Sequence, residues 1–239
     1  MTLSIPLLKN RLLVALNAED FARLSTWLTV VDLEKGRVLY ERGDTMDTVY
    51  LPNECVISLM TPMANGQLVE SATIGCEGAL GLTTGSPRYA TARAMVQMGG
   101  RAARISANRL AEAAGRSTTL RAQIETQDDA LLGQSLQSAA CNALHSVSER
   151  FSRWLLACRD RTGSDSVPLT QDTVAAMLGV QRTTVTAVAG EMQSRGLIRY
   201  RRGVVDILDR PGLEAMACEC YEAVKGLYQR TAGPIDEAC

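Results

Sequence analysis

The 239-residue sequence predicts an α+β chain: an N-terminal roll of short strands, one long helix, and a C-terminal pair of short helices closed by a β-hairpin. Three observations predict it. Short β-type runs separated by turn residues fill the first part of the chain. A helical periodicity with few breakers extends from Asn108 to about Arg161. The stretch Leu169–Leu208 then alternates helix, tight-turn, helix and hairpin signals.

After a helical opening around Ala18–Trp27, strands are expected at Trp27–Leu33, Arg37–Tyr40, Thr48–Leu51, Cys55–Met60, Leu68–Ile74, Thr91–Gln97 and Arg101–Ser106. Glu34-Lys35-Gly36, Gly43-Asp44, Pro52-Asn53-Glu54, Ala64-Asn65-Gly66 and Gly99-Gly100 separate them. Many short strands at such spacing imply a sandwich, jelly roll or barrel. Asn65-Gly66 marks a hairpin, since both residues tolerate the positive φ of a primed turn.

In the helical stretch, Leu120, Ile124, Gln127 or Asp128, Leu131, Ser135 and Ser138 fall near heptad spacing. Small residues Ala130, Gly133, Ala139 and Ala140 permit close approach. The pattern suggests a two-fold helical interface carried by Leu120, Ile124 and Leu131. The competing arrangement buries the same stripe against the chain's own strands. His145-Ser146-Val147 interrupts the periodicity, which places a hinge at 142–147. The expected organisation is a roll at 1–117, a dimerisation helix and hinge at 118–144, and a third domain at 145–239.

That third domain has the grammar of a winged helix-turn-helix. Thr170 is placed to cap a helix whose inward positions are Val174, Ala175, Met177 and Leu178. Gly179 tolerates the left-handed turn that follows, and Val180 plugs the gap between helices. A second helix from Arg182 to about Arg195 turns Val185, Val188, Ala189 and Met192 inward. Gln181, Arg182, Thr183, Thr184 and Thr186 crowd its start and outer side. Hydroxyl, amide and guanidinium groups at a helix N-terminus suit DNA phosphates and base edges. Leu197–Ile207 reads as a hairpin with Arg199, Arg201 and Arg202 around its turn. The bland alternative leaves those arginines as a solvated face.

Composition agrees with folded domains: 46% of residues are hydrophobic, and no run approaches the roughly 20 apolar residues of a membrane span. The opening MTLSIPLLKNRLLVAL is too short and interrupted for a signal peptide, so the cytoplasm is the expected compartment. The net charge of −1 conceals a segregation: residues 1–144 carry 13 basic and 14 acidic side chains, 145–210 carry 10 and 7, and 211–239 carry 2 and 5. The basic block is the one with the helix-turn-helix pattern, as phosphate contact requires. Cys55, Cys76, Cys141, Cys158, Cys218, Cys220 and Cys239 form no CxxC pair, so neither a disulfide framework nor a standard zinc site is expected. The lone His145 reads as a hydrogen-bonding surface group, and no catalytic constellation emerges.

Leu169-Thr170-Gln171-Asp172 followed by Ala176–Thr186, with Gly36 and Gly43-Asp44 in the roll, resembles the Crp/Fnr family of bacterial transcription regulators. The resemblance implies a cyclic-nucleotide-binding-like sensor roll and a homodimer on a two-fold symmetric operator in double-stranded DNA. It also implies contact with RNA polymerase, no enzymatic activity and no membrane. The alternative is a ligand-binding or protein-interaction module that kept the fold without transcriptional activity.

Departures from the family pattern shape the expectations. Gly75-Cys76-Glu77-Gly78-Ala79 places Ala79 where cyclic-AMP-responsive members carry a ribose-binding glutamate. Arg88-Tyr89-Ala90 keeps the phosphate arginine but loses its hydroxyl partner. Glu77, Ala79, Arg88 and Tyr89 are therefore the candidate effector pocket, for an unknown small molecule rather than cyclic AMP. The N-terminal cysteines of iron–sulfur members are missing, so no cluster, metal or other cofactor is expected. The recognition pattern Arg-Glu-x-x-x-Arg becomes Arg182-Thr183-Thr184-Val185-Thr186-Ala187. It retains one guanine-reading arginine and implies a different operator.

Overall fold

The structure, a computed structural model, describes residues 9–84 and 88–232; the first eight residues of the N-terminal apolar run and Cys239 lie outside them. Helices α1 (Arg11–Val14) and α2 (Ala18–Ser25) open the chain, α2 being capped by Asn17, whose side chain accepts from the Asp20 amide. Among the described residues seven strands follow: β1 (Thr29–Leu33), β2 (Val38–Tyr40), β3 (Thr48–Pro52), β4 (Val56–Pro62), β5 (Leu68–Ile74), β6 (Arg93–Met98) and β7 (Gly100–Ser106). They form two antiparallel sheets, ordered β1-β7-β3 and β2-β6-β4-β5.

At the β4–β5 hairpin only Gly66 is left-handed, at φ +82°, while its amide donates to the Met63 carbonyl at 3.0 Å. The loop is thus a three-residue turn ending in a left-handed glycine rather than the primed two-residue turn the Asn-Gly pair suggests.

The long helical stretch is three helices: α3 (Ala107–Arg116), α4 (Thr118–Leu144) and α5 (Val147–Thr162). Ser117 makes the first break. Its hydroxyl accepts from the Leu120 amide and donates to the buried Asp20 carboxylate at 2.6 Å. The second break is at His145-Ser146, where Ser146 and Glu149 form a capping box that starts α5.

The C-terminal part comprises β8 (Ser166–Val167), α6 (Gln171–Leu178), α7 (Arg182–Ser194), β9 (Ile198–Arg201), β10 (Val204–Ile207), α8 (Arg210–Met216) and α9 (Cys220–Ala232). The three strands form a sheet ordered β8-β10-β9.

Phe151, Leu155, Val174, Leu178, Val185, Ala189 and Met192 build the core of this head, and it runs on into the roll through Val56, Met60 and Met98. Polar ties reinforce the junction: the Lys35 ammonium donates to the Pro168 carbonyl at 2.6 Å, and Arg161 pairs with Glu77 at 2.7 Å. Helix α9 turns back onto α4, where the lack of a side chain at Gly133 lets Leu227 seat closely. Among the described residues, no helix is long and apolar enough to cross a membrane.

Glu70, on β5, sits in this junction. The Ser58 hydroxyl donates to one carboxylate oxygen at 2.5 Å and the Trp154 indole to the other at 2.8 Å. Burial pushes its carboxyl up to about 7, against the opposing pull of those donors. In the unfolded chain the group ionises near the ordinary glutamate value. Between that value and about pH 7 the folded state therefore holds a proton that the unfolded state has lost. Stability should fall as pH rises through this window, by up to about 3 kcal/mol, and level off above it. Glu70→Gln should abolish the slope in urea titrations at successive pH values; an unchanged slope would remove Glu70 as its source.

Candidate nucleic-acid interface

Thr170 caps α6 through its hydroxyl, which accepts from the Thr173 amide at 3.1 Å. Gly179, at φ +63°, ends the helix, and Gln181 opens α7 without a side-chain capping bond. Val185, Ala189 and Met192 fix one face of α7 in the core. The opposite face presents Gln181, Arg182, Thr183 and Thr186 to solvent, with Thr184 half-buried. The first turn of α7 therefore offers unsatisfied backbone amides and polar side chains on one exposed surface.

Arg182 leans back on α6. Its Nε donates to the Gln171 side-chain oxygen at 3.4 Å and its guanidinium lies 3.5 Å from the Asp172 carboxylate. Thr186 donates to the same Gln171 oxygen at 3.1 Å. These are weak, solvent-exposed contacts, easily exchanged for a base edge. Under them Tyr200 is half-buried. Burial and the nearby Asp172 charge push its phenol up to about 12, so it stays neutral.

The wing is a two-residue hairpin. Arg202, at φ +48°, and Gly203, at φ +77°, form the turn between paired Arg201 and Val204. Both central residues are left-handed, as a primed turn demands. An arginine pays a steric penalty there that asparagine or glycine would avoid. That strain is accepted at the position that carries a cation to the tip of the wing. Arg201 and Arg202 are exposed, whereas Arg199 is engaged on the side of the hairpin with Asp206 at 3.2 Å. Hydrogen bonds from Ser166 and Arg199 hold the Asp206 carboxyl below the usual carboxylate range.

The expected effector residues part company. Ala79, Arg88 and Tyr89 line a cleft of about 640 Å³ between the roll and α4, together with Asp128 and Asp129. Arg88 is already satisfied: it forms an ion pair with Asp128 at 2.8 Å and donates to the Leu82 carbonyl at 2.8 Å. Glu77 does not belong to the cleft. It is buried on the other side of its loop, where its Oε1 accepts from Arg161 and from the Gly75 amide. A carboxylate so enclosed needs a partner cation, and α5 supplies it.

The expected dimer seam is also corrected. Leu120 and Ile124 are fully buried against the chain's own α1, α2 and roll residues, and Leu131 packs into the roll core. The large apolar side chains that α4 leaves exposed are Leu132, Leu136 and Leu144. His145, expected at the surface, is largely enclosed, with Glu219 at 3.1 Å. The sequence reading missed its neighbours altogether. Cys141, Cys218 and Cys220 converge on it, and all four donor atoms lie within 4.8 Å of one another. The signals were present as a Cys-x-x-x-His step on α4 and a Cys-x-Cys step before α9.

Residues 149–216 match the family described as the Crp-like helix-turn-helix domain. No curated protein matches the chain by sequence. FixK2 from Bradyrhizobium japonicum superposes with a TM-score of 0.68 at 15% identity, covering 80% of this chain and 98% of that one. TTHB099, a CRP-family transcriptional regulator from Thermus thermophilus, gives 0.64 at 16% identity, covering 78% and 96%. The c-di-GMP-responsive regulator CLP of Xanthomonas campestris gives 0.61 at 18% identity, covering 81% and 100%. At such identities the likeness is one of fold.

Proposed function

We propose that this chain, a DNA-binding transcription regulator of the Crp/Fnr type, works in the cytoplasm as a homodimer on a two-fold symmetric operator and responds to an effector other than cyclic AMP. The observation that carries the reading is the α7 surface. A helix anchored by Val185, Ala189 and Met192 exposes Arg182, Thr183 and Thr186 beside a wing tipped by Arg201 and Arg202. Its half-site contacts divide by chemistry. Arg182 is suited to a bidentate bond with guanine, whereas the wing arginines, Thr170 and the α7 amides are suited to phosphates. Contact with RNA polymerase belongs to the same proposal.

Selection of binding sequences from random DNA should return an inverted repeat. On that site Arg182→Ala should cost about 1–3 kcal/mol and flatten preference at one position per half-site. Arg201→Ala or Arg202→Ala should instead weaken all sequences alike and lower the salt slope by about one unit. Equal losses on specific and random DNA for Arg182→Ala would make it a phosphate contact, and an unchanged slope for the wing variants would remove the wing from the interface.

The cleft chemistry supports a different effector. Ala79 offers no acceptor for a ribose hydroxyl, and a cyclic phosphate would have to displace Asp128 from Arg88 with Asp129 close by. Losing a charged acceptor in a closed site costs about 1.5–3 kcal/mol, before the repulsion from two carboxylates. Calorimetry with cyclic AMP and cyclic GMP should show no saturable micromolar binding. Saturation that also raised operator affinity would overturn this reading of the cleft.

A further inference from the structure

Where the end of α4 meets the head, two distant pieces of chain bring sulfur and imidazole together. Cys141 and His145 are four residues apart at the end of α4, a spacing that puts both on one helical face. Cys218 and Cys220 flank Glu219 at the start of α9, where the chain arrives after passing through the whole head. The Cys141 and Cys218 sulfurs are 3.6 Å apart, and the Cys220 sulfur is 3.6 Å from His145 Nδ1. Zinc–sulfur bonds of about 2.3 Å and zinc–nitrogen bonds of about 2.0–2.1 Å place tetrahedral ligands about 3.8 Å (S to S) and about 3.5 Å (S to N) apart. These two edges lie within about 0.2 Å of those lengths.

We propose that Cys141, His145, Cys218 and Cys220 bind one soft divalent metal ion, zinc by preference, in a closed tetrahedral site that clasps the end of α4 to α9. Three sulfurs and one imidazole are the donors a tetrahedral zinc ion takes in structural sites, and with four protein ligands no position is left for a substrate. The three cysteines are buried, so the site is shut from solvent. An iron–sulfur cluster does not fit, because its several irons and sulfides would hold the ligand sulfurs much farther apart than donors surrounding a single centre. Binding moves no electrons: each thiol releases its proton to solvent as its sulfur–metal bond forms.

The surroundings are those of a metal site. His145 turns its other ring nitrogen to the Glu219 carboxylate at 3.1 Å, which fixes the tautomer that leaves Nδ1 for the metal. The Gln137 amide donates to the Cys220 sulfur at 3.0 Å. Three thiolates around a dication leave one net negative charge, and the electrostatic influence of Arg150 and Arg153 reaches the site. Arg150 also links the clasp to the DNA-reading unit. It is buried, and its guanidinium donates to Asn142 at 2.9 Å and to the carbonyl of Leu178, the last residue of α6, at 3.0 Å. Asn142 adjoins Cys141, so Arg150 ties the residue next to the first ligand to the end of α6.

The test is metal analysis of the full-length protein purified without chelator or affinity metal. About one zinc per chain is expected, and cobalt exchange should give thiolate charge-transfer and tetrahedral ligand-field bands. His145→Ala and Cys218→Ser should lose the cobalt spectrum, while Cys55→Ser and Cys158→Ser, elsewhere in the core, should keep it. Glu219→Gln, at an exposed side chain, should bind zinc about 10–100-fold more weakly while remaining folded. Removing the metal should speed amide exchange at 141–149 and 217–222. A metal-free wild type without cobalt bands, a Cys141–Cys218 disulfide in the purified protein, an iron–sulfur chromophore, or a cobalt spectrum indifferent to His145→Ala would each overturn the proposal. None of these readouts involves DNA, so they stand apart from the test of the regulator's function.

Discussion

Arg161→Met is expected to cost the fold about 3–5 kcal/mol, measured as the loss of unfolding free energy in urea at neutral pH. Arg161 and Glu77 are both buried, and the guanidinium approaches one carboxylate oxygen at 2.7 Å through two of its nitrogens. The pair joins the loop after β5 to the last turn of α5, so it ties roll to head. Gly75 belongs to the same construction: any side chain there would collide with the aliphatic stem of Arg161 and with Glu77. The interaction with Glu77 holds the Arg161 guanidinium protonated despite its burial. Removing the cation strands a carboxylate away from water, which is the expensive event. A double variant, Arg161→Met with Glu77→Gln, should therefore recover part of the loss. A loss below about 1 kcal/mol for Arg161→Met would mean that water reaches Glu77 and that the junction is loose.

That pair also marks the limit of what the sequence made legible. The strands, the cap at Thr170, the turn at Gly179 and the hairpin at Arg202-Gly203 are local matters, decided by alternation, capping chemistry and backbone preference within a few residues. The neighbours of Glu77 resemble a nucleotide-binding loop, and that local pattern points it to the effector site. Its actual partner lies on α5, far along the chain, and nothing in the local pattern names that partner. Asp128 is a similar case: its position on α4 was visible, but its ion pair with Arg88 depends on how α4 lies against the roll. The cluster of three cysteines and His145 is hidden from the sequence for the same reason, since Cys141 and His145 meet Cys218 and Cys220 only through the return of α9 onto α4.

Helix α4 shows how a correct period can be assigned to the wrong surface. The stripe of Leu120, Ile124 and Leu131 is real, and it is what holds the helix to its own protomer. A second stripe runs beside it. Ala122, Glu125, Asp129, Leu132, Leu136, Ala139 and Ala143 are exposed at alternating steps of three and four residues, and the stripe becomes apolar towards the C-terminal half. Periodicity measures how often apolar residues recur, and it does not say whether the facing surface belongs to the same chain or to another.

Leu136→Asp is therefore expected to dissociate the proposed homodimer and to reduce affinity for the proposed two-fold operator by roughly 100-fold or more, because each half-site is then bound alone without the high effective concentration of its twin. Leu136 is 65% exposed and Leu132 59% exposed in the single chain, a large unpaired apolar area for a side of the helix that the roll does not cover. Small residues Ala139, Ala140 and Ala143 follow, so two copies of α4 can approach closely along this face. A carboxylate at 136 in each copy would bring two like charges into a dry seam and cost both desolvation and repulsion. The fold of the protomer should be spared, since the side chain points away from its core. Leu120→Ala and Ile124→Ala, by contrast, should lower protomer stability by about 2–5 kcal/mol while leaving a dimer at concentrations where the protein is folded. Sedimentation and urea unfolding on the three variants separate the two faces. A Leu136→Asp protein that remained dimeric at micromolar concentration and kept full operator affinity would place the two-fold contact somewhere other than this stripe.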